Sequence, residues 1–600
     1  MRSRLATVVL GFAVLTLAGA ASAQESRDDL MLLTTGYGLR VEADKATVSV
    51  TIDVSNVDRD EIRVAMPNWS PGSYNMHRAG TMVTDFSARD AEGRELKVDQ
   101  TDPTSWAIAT AGVHALRIAY RIPPFGRRFT PRFPDGVEPN GLHFQGPYTF
   151  MYVVGAPRIP VTCRYELPEG WKLANGMVPT DDPMVRTARD YDTFIDCPTI
   201  VGHFETRDFT IGKTPFTCVY WDLTGNYRFD MDAATDIVRR IVEKQGAIFG
   251  SFPFFHYHFL YSISQSGGGG GLEHLSSTSI GLSVGALERN PMTIAGISAH
   301  EYFHTWNVKR IRPVALGPFE YDQENYTGNL WVSEGWTSYY GDLSMLRAGL
   351  TPLDRYLGSM AGTIGSELSK ARRKEHSVYW ASRNVWHRSN DESGPRVDYY
   401  GKGELLGLLI DLKIRGATNG KKSLDDVMRF LNRWFAERNV GFEENDIERA
   451  CTAISNVDFS GFFARHVRGT MDPPIAEILA LAGLAYETNE NPSAFPFFYR
   501  YEEGNGLTVR VGRGRDDASL FERGDRITQL DGQSVGDPQA FLAAHKAGDK
   551  VKLTVRRGEK DLEMEVTLRE GSIRPSIRVM ENASPEQLRI RESWMTGEDR

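Results

Sequence analysis

Cysteine is scarce in this chain of 600 residues: Cys163, Cys197, Cys218 and Cys451 are the four present, and none has a neighbour at metal-ligand spacing. A thiolate metal site is thereby excluded as the organising feature, since such sites need closely spaced pairs. If a disulfide forms, Cys163–Cys197 is the pair expected, because both residues lie in one β-rich stretch and an exported chain permits it; buried free thiols are the alternative. Past the first segment there is no apolar run long enough to cross a bilayer, so no membrane span is expected in the mature chain. An excess of basic charge is also missing. The net charge of −9 argues against nucleic acid or an anionic membrane as partner. No low-complexity tract occurs, and the composition is that of a multidomain globular protein.

Residues 1–23 read as a cleavable export signal. Arg2 and Arg4 precede the apolar stretch Leu5 to Leu17, and Ala21-Ser22-Ala23 is a small-residue cleavage site. The mature chain then begins at Gln24 and is periplasmic or secreted. From 24 to about 215 period-two alternation dominates, as in Ala46 to Val54 and Val113 to Tyr120, with turn signals at Pro71-Gly72 and Glu92-Gly93. An antiparallel β-sandwich-like domain is predicted there. Its loop Trp69-Ser-Pro-Gly-Ser-Tyr74 reads as a packed turn or as one wall of a cleft. The spacing then predicts a helix over Asp230 to Phe249 and a strand over Tyr257 to Ser264.

His300-Glu301-Tyr302-Phe303-His304 is an H-E-x-x-H motif. On a helix His300 and His304 lie one turn apart on one face, where both imidazoles reach one ion, and Glu301 is placed to act as a base beside it. Asn290 as N-cap, Pro291 at the first position and the apolar Ile294, Ile297 and Phe303 support a helix. Two candidates compete for third ligand. Glu324 has the commoner spacing but sits in a turn-like stretch, whereas Glu334 opens a helical pattern with Ser333 as N-cap. Glu334 is preferred, because a helix anchors a ligand more rigidly. Five glycines, 267–271, lead into Leu272-Glu273-His274. Such runs are ordinarily flexible loops. Glycine also lets a backbone pass close to a ligand, which makes Gly269, Gly270, Gly271, Glu273 and His274 a candidate substrate-binding segment.

Taken together, Gly269 to His274, His300 to Pro313 and Leu330 to Tyr340 resemble the glycyl aminopeptidase family of gluzincin metallopeptidases. Weaker echoes reach the alanyl aminopeptidase and leukotriene A4 hydrolase group. The resemblance implies one zinc ion held by His300, His304 and Glu334, Glu301 as general base, and Glu273 as receptor for the substrate's ammonium. Tyr400-Gly-Lys-Gly403 is similar to a segment whose Tyr stabilises the tetrahedral intermediate, which makes Tyr400 catalytic; Tyr399 is its neighbouring competitor. Substrates would be peptides with a free N-terminus, with Gly or Ala favoured as first residue. Three departures stand out: the gap from His304 to Glu334 is longer than in the alanyl group, His274 replaces an Asn, and Ser338 replaces an Asp that supports a ligand His. Asp342 is then a candidate for that support.

Leu424 to Glu437 and Ile475 to Leu484 have helical spacing, and Asn491 to Pro496 reads as a linker. Residues 497–570 resemble a PDZ domain, through Gly524-Asp-Arg-Ile and Asp531-Gly532, with Gly506-Leu507 as the candidate carboxylate loop. Such a module binds peptide C-termini by strand addition, or braces its neighbour. The expected fold class is multidomain α+β. It comprises a β-sandwich-like domain (24–215), a mainly helical thermolysin-like catalytic domain (216–485), a PDZ-like domain (495–570) and a tail (571–600). The function read from this pattern is a zinc aminopeptidase. The alternative is a non-catalytic periplasmic peptide-binding or chaperone-like protein using the PDZ-like module.

Overall fold

A computed structural model describes residues 33–598, apart from 43–46, 124–139, 157–158, 224, 226–227, 266–269, 388–396, 491–492, 503–505, 511–519, 523 and 572. The export signal and Gly269 lie outside the described residues. The chain forms two compact units. One comprises residues up to Thr327 with 340–348 and 428–444; the other comprises 328–339, 349–427 and the chain from 445 onward.

The first unit begins with the β-rich region. Strand β1 (Thr34–Glu42) and strand β2 (Thr47–Ser55) sit near the middle of a seven-stranded sheet, and Val48, Val50, Ile52 and Val54 all point into the core. Alternation therefore forms here for the expected reason: one face buries branched side chains while the other meets water. Sheets of four and three strands complete the region. Its pairing is antiparallel except where β1 runs parallel to Val161–Glu166. The expected disulfide is absent. Cys163, Cys197, Cys218 and Cys451 are all buried free thiols, and the Cys197 thiol donates to the Thr193 carbonyl at 3.2 Å.

Next comes a five-stranded sheet built on β3 (Tyr257–Ser264), with β4 (Gly270–Glu273) at its edge, antiparallel to β5 (Ser277–Ser283). Helix α1 (Met231–Phe249) starts at Asp230, whose side chain accepts from Ala233 N, and it buries Ile237, Val238, Ile241 and Val242. Gln245 of α1 donates to the Ala299 carbonyl of α2 (Ala295–Phe303) at 2.8 Å. The strand β3 and helix α1 fall where the sequence spacing put them.

In the second unit a π-helical turn, Trp331–Trp336, leads into α3 (Thr337–Arg347), whose residues from Tyr340 on are counted with the first. Ser333 is therefore inside the helical run rather than its cap. Helices α4 (Leu353–Leu368) and α5 (Tyr399–Thr418) follow. The stretch Leu405 to Leu412 of α5 is buried at every position, so α5 is a central helix with no solvent-facing stripe. Helix Ile475–Ala480 stops early: Leu484 opens a strand, Leu484–Glu490, that pairs with Ile573–Val579. In the proposed linker Ser493-Ala494 pairs with Arg569-Glu570, and Phe495 joins the core of the PDZ-like module. That module is a sheet with Phe498–Glu502 at one edge and a short helix Pro538–Ala543. Gly506 and Leu507 open the strand Gly506–Arg510.

Residues 573–598 carry the strand Ile573–Val579 and a helix. Helix α6 (Pro585–Thr596) has a capping box between Ser584 and Gln587. Its Trp594, fully buried, donates to the Tyr339 hydroxyl at 2.9 Å. Tyr339 in turn donates to Asp411 at 2.6 Å. Asp411 also accepts from Arg415 Nε at 3.0 Å and from Leu424 N at 2.8 Å, and Arg415 reaches Ser593 of α6. The chain end is thus tied through buried hydrogen bonds to the helix that follows Glu334.

With no disulfide to break, a reducing agent should leave the thermal midpoint unchanged; a drop of several degrees would contradict the four free thiols. Arg415→Met strands the Asp411 carboxylate in the interior, and breaking a buried pair this way costs about 3–5 kcal/mol. A lower urea midpoint at unchanged slope is expected, and a midpoint equal to that of the parent chain would contradict the role given to this pair.

Candidate active site

Helix α2 is entered through a 3-10 turn, Pro291–Ile294, whose Asn290 cap accepts from Met292 N at 3.0 Å. Its apolar side is fixed by Tyr302, whose ring meets Tyr257 at 5.0 Å and Phe259 at 5.5 Å between centroids. Anchoring that face turns His300 and His304 together: their Nε2 atoms stand 3.1 Å apart. His304 closes the helix, and its Nδ1–H donates to the Asn307 carbonyl at 2.6 Å. The tautomer follows, because a carbonyl only accepts; Nε2 is left with its lone pair. The orienting group for His304 is therefore a main-chain carbonyl. Asp342, expected in this role, is pushed up to about 6 by burial, and its carboxylate makes no hydrogen bond among the described residues.

Glu301 and Glu273 are each 5% exposed. Their carboxylate oxygens and a ring nitrogen of His304 all lie within 4.8 Å of one another. Two buried carboxylates beside an imidazole lone pair form a donor set suited to a cation, since like charges this close are costly unless neutralised. The paired imidazoles of His300 and His304, with Nε2 atoms 3.1 Å apart, fit a divalent metal, and the two carboxylates beside them add negative charge that favours one.

Glycine makes this packing possible. A Cβ on Gly271 would stand 2.2 Å from Glu301 Oε1, so β4 slides past Glu301 only because residue 271 has no side chain. Gly72, at φ 85°, brings the Trp69–Tyr74 loop against Glu273; a Cβ there would lie 2.8 Å from its Oε1. Trp69 holds that loop down through Nε1–H to the Glu320 carbonyl at 2.8 Å. The loop is thus a packed turn that also walls a cavity of about 490 Å³, together with Glu273 and His274.

His274 is oriented by a partner the sequence did not disclose. Its Nδ1 lies 3.2 Å from Asp196, which also accepts from Lys309 at 2.6 Å and from Leu275 N at 2.7 Å. Burial acts to raise the Asp196 carboxyl, but Lys309 and His274 more than offset it and hold it below the ordinary carboxylate range. Lys309 stands five residues past His304, a signal that was readable. Asp196 lies far upstream and had none.

The remaining candidates belong to the second unit. Glu334 is 3% exposed within the π-helical turn, a backbone feature frequent at functional sites. Glu324, the alternative, is exposed on a loop of the first unit. Gly335 faces Gly403 so closely that a Cβ on Gly335 would meet Gly403 Cα at 2.3 Å. The turn bearing Glu334 therefore touches the start of α5, which Asp398 caps by accepting from Tyr400 N at 3.1 Å. The two rings there are stacked with centroids 5.0 Å apart; Tyr399 is 8% exposed and Tyr400 38%. Tyr400 is the one of the pair that reaches solvent.

Compared with known families, residues 293–406 match the M61 glycyl aminopeptidases, residues 38–203 the peptidase M61 N-terminal domain, and residues 502–568 the PDZ domain. No curated protein matches the sequence. Among solved structures, an aminopeptidase N family protein from Idiomarina loihiensis is 24% identical, with a TM-score of 0.77 over 94% of this chain and 100% of that one. This likeness shows the multidomain fold. Yeast LTA4 hydrolase is 15% identical over 75% of this chain and 69% of that one, with a TM-score of 0.46. An M1 zinc metallopeptidase mutant from Deinococcus radiodurans is 14% identical over 74% and 96%, with a TM-score of 0.44.

Gly271→Ala drives a methyl group into the Glu301 carboxylate. Displacing a catalytic group by about 1 Å costs on the order of 100-fold in rate, so kcat should fall by that order while the circular-dichroism spectrum and melting stay those of the parent. Undiminished turnover would contradict the close packing of β4 on Glu301.

Proposed function

The chain belongs to the M61 glycyl aminopeptidase family and is a metallo-aminopeptidase, and from that premise we propose that it removes first residues from peptides with a free N-terminus. The observation that carries this reading is the Glu273 carboxylate. It is 5% exposed, has no hydrogen-bond or ion-pair partner among the described residues, and lies within 4.8 Å of the ligand atoms of Glu301 and His304. A buried, unpaired carboxylate calls for a cationic partner, and a peptide ammonium supplies one next to the reacting bond.

Under this proposal His300, His304 and Glu334 hold one zinc ion per chain. When bound, the ion supplies Lewis acidity that activates water and polarises the scissile carbonyl. Glu301 accepts the proton of the attacking water and delivers it to the departing amine. Tyr400 donates its hydroxyl to the developing oxyanion, while Glu273 and the glycine strand Gly270–Glu273, with His274, position the N-terminus. Gly269 belongs to the same segment and lies outside the described residues. The family makes Gly and Ala the first residues to try. The domains are assigned as 24–215, 216–485 catalytic and 495–570 PDZ, with export directed by residues 1–23. The PDZ module takes peptide C-termini along Phe498–Glu502, an edge strand of its sheet.

Glycine and alanine p-nitroanilides should be hydrolysed, their N-acetylated forms should not, and a chelator should stop the reaction. Cleavage of the blocked forms at equal rate would remove Glu273 from its role. Glu301→Gln should keep its metal and lose activity. Tyr400→Phe should lower kcat by about 100- to 1,000-fold, the cost of one oxyanion donor. A Tyr400→Phe enzyme at parental rate would exclude that side chain.

A further inference from the structure

The cavity beside Glu273 holds about 490 Å³, far more than a first residue of Gly or Ala needs. Its charged walls are Arg189, Asp190, Asp192, Asp196, Lys309 and Arg312, besides Glu273. Most already have partners. Asp196 accepts from Lys309 and Leu275 N, as described above. Asp190 caps a short helix through Thr193 N at 2.8 Å and meets Arg189 at 3.2 Å. Asp192 accepts from the Tyr321 hydroxyl.

Two charged groups remain without a hydrogen bond or ion pair among the described residues: the Glu273 carboxylate and the Arg312 guanidinium. Arg312 is nonetheless held in place. Its guanidinium lies on the backbone of Gly317, at φ 148°, where a Cβ would stand 2.5 Å from Cζ. Burial acts to pull this guanidinium below its ordinary value, opposed by the charge of Asp192, which is near but not in contact. His274 adds a third open group: its buried Nε2 has no partner. One cavity thus offers one unpaired anion and one unpaired, glycine-seated cation.

We infer that this cavity selects substrates carrying a carboxylate as well as the N-terminal ammonium, with Glu273 receiving the ammonium and Arg312 the carboxylate. The inference rests on the aminopeptidase reading and narrows it. A planar guanidinium suits a carboxylate through paired, charge-assisted hydrogen bonds. That carboxylate has two sources: the side chain of an acidic first residue, or the C-terminus of a short peptide such as a dipeptide.

Two matched comparisons separate these sources. The first sets glutamyl against glutaminyl p-nitroanilide, and the second sets Ala-Ala against Ala-Ala amide. The charged member of one pair should be favoured in kcat/KM by about tenfold or more, the range one polar specificity contact commonly gives, and which pair shows it names the source. In Arg312→Gln the ratio should fall to near unity, whatever the absolute rates, and Arg312→Lys should keep part of it. Equal rates within both pairs for the parent enzyme would overturn the inference without any variant, as would a preference that survives Arg312→Gln. Calorimetric binding of the same four compounds to Glu301→Gln reads recognition apart from turnover. Discrimination in binding with no hydrolysis by the parent chain would sink the aminopeptidase reading alone. Hydrolysis of neutral substrates without discrimination would sink this inference alone.

Discussion

Negative charge confined away from water is the constraint on which the first unit is built. Glu273 and Glu301 are both nearly buried, and their oxygens share a radius of 4.8 Å with a ring nitrogen of His304. Like charges held this close push each other apart. Everything around them works against spreading. Tyr302 pins helix α2 from behind, β4 presses on Glu301 through Gly271, and the Trp69 loop presses on Glu273 through Gly72. A site held together against its own repulsion is pre-organised for cations.

Positive charge is arranged with equal economy. Lys309 is committed to Asp196, which in turn orients His274, so neither competes for the substrate. Among the described cations lining the cavity, Arg312 is the one seated on a glycine with no hydrogen bond or ion pair. In the second unit the polar interior serves rigidity instead. Asp411 gathers Tyr339, Arg415 and Leu424 N, and Trp594 and Ser593 tie the chain end into that cluster. The helical run that begins with the Glu334 turn is therefore braced at Tyr339, and the facing glycines 335 and 403 set its distance from the Tyr400 helix.

What was legible in the sequence was whatever local periodicity encodes. The H-E-x-x-H helix, helix α1 and strand β3 all follow from residues within a few turns of one another. Contacts between distant residues were not. Asp196 reaches His274 and Lys309 across the fold, and Leu484 becomes a strand only because Ile573–Val579 lies beside it. Helix α5 offers no polar stripe to read along Leu405 to Leu412, because every position there is buried. Compatibility with export did not make a disulfide, because Cys163 and Cys197 serve as small apolar side chains in the core. Glycines carried the most information about the site, yet their meaning emerges only with the neighbour each one admits.

The central claim is that one metal ion sits between the two imidazoles and the acid of the π-helical turn, leaving Glu273 for the substrate. Anomalous diffraction from crystals of the zinc-loaded protein, recorded on both sides of the zinc absorption edge, tests it directly. The account predicts a single strong peak bonded to His300 Nε2, His304 Nε2 and the Glu334 carboxylate. A peak coordinated by Glu273 and Glu301 instead, with Glu334 unliganded, would contradict it.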